Sequence, residues 1–172
     1  MRYLIVVRHA KAVPADGTID DFDRPLSEKG RAQSGVLRAW ATDKKKLGAY
    51  GPATVLVSAA ARTRETYALA FAGTAMVHAL ETSSLIYNGR RDVSAEAVLS
   101  ELAAIDPVTE SLMVVGHNPT VLELVELLAD DRVRDIQGGR YPLGGAIVLQ
   151  LRDDEQIGLR RYPFVKSFIP EV

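Results

Sequence analysis

Three short aliphatic runs each end on residues that do not belong in a core. Leu4-Ile5-Val6-Val7 runs into Arg8-His9, Thr54-Val55-Leu56-Val57-Ser58 is followed by Arg62 at the opening of a helix-like stretch, and Leu112-Met113-Val114-Val115-Gly116 runs into His117-Asn118-Pro119. Arginine stays protonated and presents a rigid fork of N–H donors that matches a phosphoryl group. A neutral imidazole can attack phosphorus, and an imidazolium can donate hydrogen bonds to phosphoryl oxygens. Two arginines and two histidines brought together would hold a phosphoryl dianion, with His9 and His117 able to divide the roles of nucleophile and donor. Ser58 and Asn118 flank the group and are further candidates for donating to phosphate, although capping or turn roles suit them equally well. Lys11 would extend the positive field.

These side chains act together only if one framework gathers them. Aliphatic runs alternate with amphipathic stretches along the chain, the pattern of β/α units around a mostly parallel sheet. Strands are predicted over residues 3–8, 54–58, 75–79, 111–116 and 146–151, with 159–162 as an edge strand after the turn at 153–156. Helices are predicted over 27–41, 63–72 and 94–105, and from Asn118-Pro119 onward with Asn118 as cap and Pro119 in the first helical position. In open sheets of this kind the C-terminal strand ends share one edge, and ligands bind there beside helix N-termini. Convergence of Arg8-His9, Arg62 and His117 therefore follows from topology. The predicted class is a single three-layer α/β/α domain over residues 1–172.

Composition bounds the remaining possibilities. The chain has 172 residues, 47% apolar and 25% charged, enough for one substantial core. A net charge of −1 and a pI near 6.3 give no global electrostatic case for nucleic acid or an anionic membrane as partner. The absence of cysteine excludes disulfides, thiolate metal sites and thiol nucleophiles. No apolar run reaches membrane-spanning length, and the N-terminal run is too short for a signal peptide, so a cytoplasmic location is expected. The acidic segment 14–24 reads as too polar to pack, and loops as long as this one are functional or mobile. The stretch 138–145, GGRYPLGG, reads as a bend before the last strands.

The blocks Arg8-His9-Ala10, SAAARTRET from Ser58 to Thr66, and VVGHNP from Val114 to Pro119 are similar to the signature blocks of the histidine phosphatase superfamily, whose fold is phosphoglycerate mutase-like. The DRPLSEKG segment from Asp23 to Gly30 and the VGHNP block further resemble the small SixA-like phosphohistidine phosphatases. The resemblance implies that His9 is a nucleophile forming a phosphohistidine that water hydrolyses, while Arg8, Arg62 and His117 hold phosphoryl oxygens. It implies no cofactor and no metal, since two guanidiniums and an imidazolium supply the positive charge.

Larger members of that superfamily carry a carboxylate after the third strand that protonates the leaving oxygen. Here Tyr87 and Asn88 stand in that place, and Glu81, Asp20, Asp21 and Asp23 are acids without an assigned role. An alkoxide needs an acid to leave, whereas a phosphorylated imidazole can carry its own proton, so the missing acid favours a phosphohistidine substrate. Residues 73–110 leave no room for an insertion capping the site, which favours a phosphoprotein. Rival expectations are a phosphatase or mutase acting on a small phosphoester, and a non-catalytic phosphoryl-binding module. Taken singly, Arg62 reads as a solvated helix residue, His117 as a turn cap and His78 as a satisfied strand histidine. A three-histidine zinc site is disfavoured by the arginine beside His9. Lys44-Lys45-Lys46 reads as a solvated loop, and Arg90-Arg91, Arg140 and Arg160-Arg161 either rim the pocket or face solvent.

Overall fold

Leu4, Ile5, Val6 and Val7 are fully buried because their strand, β1 (Arg2–Arg8), has a partner on each side. Successive side chains of a strand face opposite ways, and here both faces are covered. In the computed structural model, which describes residues 1–89, 92–131, 133–136 and 140–172, β1 is joined by β2 (Ala53–Ser58), β3 (Val77–Ser83), β4 (Ser111–Gly116), β5 (Ala146–Leu151) and β6 (Phe164–Phe168). They form a six-stranded sheet in the order β3-β2-β4-β1-β5-β6. β1 to β4 run parallel, β5 is added antiparallel beside β1, and β6 pairs antiparallel with β5 at the edge. Ile5, Val7, Met113 and Val115 pack on one face with Leu37 of α1 (Glu28–Thr42) and Ala70 of α2 (Ala61–Ala70). Leu4, Val6, Leu112 and Val114 pack on the other with Leu102 of α3 (Ala95–Ile105) and Leu124 of α4 (Thr120–Leu128). The architecture is α/β with helices on both faces, as the alternation of runs predicts.

Several boundaries differ from expectation for physical reasons. β3 runs to Ser83 because its polar end pairs with β2 through Ser58 at the sheet edge, where an apolar run is not required. α2 begins at Ala61, so Arg62 lies in its first turn. Residues 159–162 are not the edge strand: Leu159 is 70% exposed, and Tyr162 is held by backbone bonds to Leu128 and Asp130 at the end of α4. The edge is instead β6, an alternating FVKSF. Asn118 does not cap α4; the cap position is Pro119, without a side-chain bond, and the His117 carbonyl accepts from Val121 N–H. Arg90, Arg91, Gly138 and Gly139 lie outside the described residues. The described part of the expected bend is a turn with Gly144 at φ +70°, whose N–H donates to the His9 carbonyl, while Gly145 O accepts from Arg8 N–H. That positive φ is the conformation glycine supplies without strain.

The first turn of α1 is a template for the chain leaving β1. Ser27 Oγ accepts from Gly30 N–H, and both the hydroxyl and the N–H of Ser27 donate to the Lys11 carbonyl. Gln33 Oε1 takes the Lys11 N–H. Gly30 lies directly against Lys11, where a Cβ would stand 2.1 Å from the Lys11 carbonyl oxygen. Gly30→Ala should therefore destabilise the protein by about 2 kcal/mol or more through overpacking against backbone. Gly35→Ala, on the exposed side of the same helix with nothing within 4 Å of the added Cβ, should be neutral or stabilise by up to about 1 kcal/mol. Urea midpoints of the two variants check the contrast.

Candidate active site

β2, β4 and β1 are neighbours in the sheet, and their C-terminal ends bring Ser58, His117 and Arg8-His9 side by side. His9 N–H donates to Gly116 O, so the chain after β1 is still tied to β4 where the two histidines emerge. Hydroxyls of α2 secure the third component: Thr63 Oγ1 donates to Ser58 O, and Thr66 Oγ1 accepts from Ala10 N–H while donating to Arg62 O. Arg62 is thus drawn in, at 4% exposure, rather than solvated. The cavity above these strand ends is about 700 Å3, and its lining includes Arg8, His9, Lys11, Asp21, Arg24, Arg62, Asn88, His117 and Asn118. The rings of His9 and His117 have centroids 5.2 Å apart.

Hydrogen bonding assigns the His9 tautomer. Its Nδ1 lies 2.7 Å from the Ala10 carbonyl oxygen. A carbonyl only accepts, so Nδ1 carries the proton and Nε2 keeps its lone pair. Burial lowers the His9 pKa to about 3, aided by Arg62, Arg8 and Arg24 and opposed by the Ala10 carbonyl. His117, 3% exposed, is lowered to about 2 by burial first, then by His9 and Arg62. In the unliganded protein, burial and the neighbouring arginines therefore favour the neutral form of both rings over the imidazolium that the resemblance implies, and the arginines carry the field.

The arginines are tethered on one side and free on the other. Arg8 Nη1 donates to the Tyr141 carbonyl, and the Tyr141 hydroxyl donates to Val6 O. Arg62 gives Nη1 to the Asp21 carbonyl and Nη2 to Asp21 Oδ2 at 3.1 Å. Arg8 Nε, Arg62 Nε and His117 Nδ1 are buried without a hydrogen-bond partner among the described residues, as is Asn118 Oδ1. Apart from Glu110 Oε2, the unpaired buried atoms among the described residues all belong to side chains that line this cavity, and since buried polar atoms are almost always paired, a polar ligand there is the partner the network lacks. Ser58 is placed differently from Asn118: it is fully buried, does not line the cavity, and stands behind His117 with Oγ 2.7 Å from Nε2. In this structure its hydroxyl bears on the imidazole.

The acidic segment divides: residues 14–20 are exposed, as their polarity predicts, while its end at Asp21 docks on the cavity through charge. Its base is closed by Val13 N–H to Pro25 O and by an Ala12–Leu26 bridge, and a 3-10 turn over Asp21–Asp23 brings Asp21 into the cavity. Asp21 Oδ1 accepts from Arg24 Nε at 2.9 Å and Nη2 at 2.6 Å, and Oδ2 accepts from Tyr87 OH at 2.7 Å as well as from Arg62. Burial alone would raise the Asp21 pKa, but the bonds from Tyr87, Arg24 and Arg62 hold it well below the usual carboxylate range. Tyr87 serves that aspartate and sets its ring 5.7 Å from the His117 ring. Asn88 lines the cavity with Nδ2 3.1 Å from Thr120 Oγ1. In the sequence the local signal for Asp21 is Arg24 three residues on, a spacing that suits an ion pair. His78 stands away from the cavity on β3, beside Glu110. Among the described residues no group of three or more potential metal ligands is found.

Both imidazoles resist protonation in the folded protein, with a definite consequence for pH. An unfolded chain takes up these protons near pH 6.5, the folded one only near 3 for His9 and about 2 for His117. The stability tied to them is complete above about pH 6.5 and is lost as pH falls from there toward 3. Histidine-selective NMR should show neither ring titrating between about pH 7 and 5, and urea midpoints should fall over the same interval, less steeply in His9→Gln. Ordinary midpoints near 6.5 for both rings would contradict this account.

No family model matches the chain. An uncharacterized protein of Mycobacterium tuberculosis is 31% identical over 152 residues, covering 84% of this chain and 87% of that protein. The fold superposes on a crystal structure from Agrobacterium tumefaciens, provisionally assigned as the phosphohistidine phosphatase SixA, with a TM-score of 0.76 and 28% identity over 98% of this chain and 99% of that one. A structure of the protein histidine phosphatase SixA complexed with tungstate shares the fold at a TM-score of 0.75 and 20% identity, over 97% and 96% of the two chains. With the signature blocks gathered at one sheet edge and the whole fold matched, the chain belongs to the histidine phosphatase superfamily.

Proposed function

We propose that the chain is a phosphohydrolase that takes a phosphoryl group from a phosphohistidine side chain of a protein, through a phosphohistidine formed on its own His9. The observation that carries the reading is the His9 Nδ1 to Ala10 O bond, which leaves Nε2 with its lone pair in a cavity containing two arginines with unspent Nε–H groups. In the first step Nε2 attacks phosphorus and the bond from phosphorus to the leaving imidazole nitrogen breaks, that nitrogen keeping the electron pair. Arg8, Arg62 and His117 donate to the equatorial oxygens as charge spreads over them. Water then attacks the phosphorus on His9, the bond to Nε2 breaks with the electron pair returning to that nitrogen, inorganic phosphate leaves with the water's oxygen and both its protons, one of which passes on to solvent, and His9 returns to its starting tautomer.

The choice of phosphohistidine rests on Asp21. It is the carboxylate among the described residues of the cavity lining, and its hydrogen bonds keep it ionised at neutral pH, so it cannot protonate an alkoxide. A phosphorylated imidazole protonated on its second nitrogen leaves as a neutral ring and needs no acid. The connection from β3 to α3 adds no capping domain, which supports a side chain on a protein surface as the occupant.

Incubation with labelled phosphohistidine peptide should trap an acid-labile phosphoryl group on His9. His9→Ala should lower turnover by about 10⁴-fold or more while inorganic phosphate still binds; retained function would mark a binding module instead. Faster turnover of an unactivated phosphoserine peptide or a small phosphoester would overturn the substrate assignment and leave the nucleophile standing.

A further inference from the structure

His117 poses a problem that its own ring cannot solve. If it stays neutral, it has one proton to place on two nitrogens, and only a proton on Nδ1 makes the unpartnered atom a donor. In water a neutral histidine side chain prefers the proton on Nε2. That arrangement would turn a bare Nδ1 lone pair toward the phosphoryl oxygens, and two lone pairs repel.

Ser58 Oγ decides the matter by its lack of choice. It lies 2.7 Å from His117 Nε2, and it makes no other hydrogen bond among the described residues. The residue is fully buried at the end of β2, with its carbonyl already taken by Thr63 Oγ1. Were Nε2–H to donate to Oγ, the serine's own proton would be buried without an acceptor, at a cost that buried hydroxyls rarely bear. With Oγ–H donating to Nε2, the serine and Nε2 are both satisfied, and the remaining ring proton falls on Nδ1, the atom left without a protein partner.

We propose that Ser58 is a positioning residue that holds His117 in its Nδ1–H tautomer, so that a neutral imidazole donates a hydrogen bond to the phosphoryl group. The assignment rests on the phosphoryl-transfer reading for its purpose but not for its test. Three residues thereby form a chain from core to cavity: the Thr63 hydroxyl on the Ser58 carbonyl, the Ser58 hydroxyl on His117 Nε2, and the His117 ring lining the cavity with Nδ1 unpartnered. It mirrors the Ala10 carbonyl acting on His9, with opposite polarity. An acceptor fixes the nucleophile's lone pair outward, and a donor fixes its neighbour's proton outward.

The test is ¹⁵N-histidine NMR on the whole protein at about pH 7, alone and with orthovanadate, which presents oxygens like those of a phosphoryl group. Wild type should show His117 with a protonated Nδ1 and an unprotonated Nε2 in both states. Ser58→Ala should move the proton to Nε2 and weaken vanadate binding by about 10-fold or more. His9 should keep its Nδ1 proton in the variant, which shows that the fold and the neighbouring site survive. Ser58→Thr, which retains the hydroxyl, should restore the wild-type tautomer, and where its methyl is not accommodated the Ser58→Ala spectrum alone decides. A wild-type His117 protonated on Nε2, a doubly protonated ring in either state, or an unchanged tautomer in Ser58→Ala would overturn the proposal. These readings do not depend on turnover, so failure of the substrate assignment would leave them intact and failure here would leave His9 as nucleophile.

Discussion

Positive charge gathered at the end of a buried sheet is the constraint on which the site depends. Arg8 and Arg62 cannot give up their protons, and their repulsion must be answered within the protein before any ligand arrives. Each is answered at its far end, Arg8 by the Tyr141 carbonyl and Arg62 by both oxygen types of Asp21, while the Nε edge is left unspent. The histidines respond in the only way open to them, by remaining neutral. What looks like a cluster of cations is therefore two fixed charges and two oriented dipoles. Phosphate recognition and nucleophilicity coexist for that reason, since a protonated His9 could do the first but not the second.

Orientation of those dipoles comes from the backbone as much as from side chains. The Ala10 carbonyl acts on His9, and the ends of β1 and β4 are locked by the His9 to Gly116 bond. The Gly144-Gly145 turn closes on Arg8 and His9 from the other side. Because these contacts belong to the sheet and its immediate connections, the geometry is set by the same burial that drives folding, not by mobile surface groups.

Much of this was legible in the sequence because hydrophobic runs and their endings report topology directly. LIVV before Arg8-His9 and LMVV before Gly116-His117 could be read as buried strands delivering polar residues to one edge, and they are. Arg62 needed the SAAARTRET block around it, since a lone helix arginine is uninformative. What was not legible depended on pairing across the fold. The Asp21 carboxylate meets Arg62 and Tyr87, which lie 41 and 66 residues away in sequence, and no local pattern predicts such a meeting. For the same reason the docking of the acidic segment's last residues could not be read: the polarity that leaves residues 14–20 exposed was visible, but not the arginines that hold Asp21. β3 and β6 escape an apolar-run criterion because edge strands tolerate polar residues: β3 extends past its apolar part, and β6 shows only as alternation.

The Asp21 bridge has one more implication, concerning when order is acquired. Free arginine side chains carry about 2 kcal/mol of rotamer entropy, and a site that had to freeze Arg62 upon each encounter would lose that amount from every binding event. Here the guanidinium is already immobilised by a loop that is itself pinned at its base, so the entropic loss falls on folding, once, instead of on recognition, repeatedly. The seemingly expendable acidic excursion between β1 and α1 is in this sense a preorganising scaffold: it contributes affinity for an anion by presenting an anion of its own.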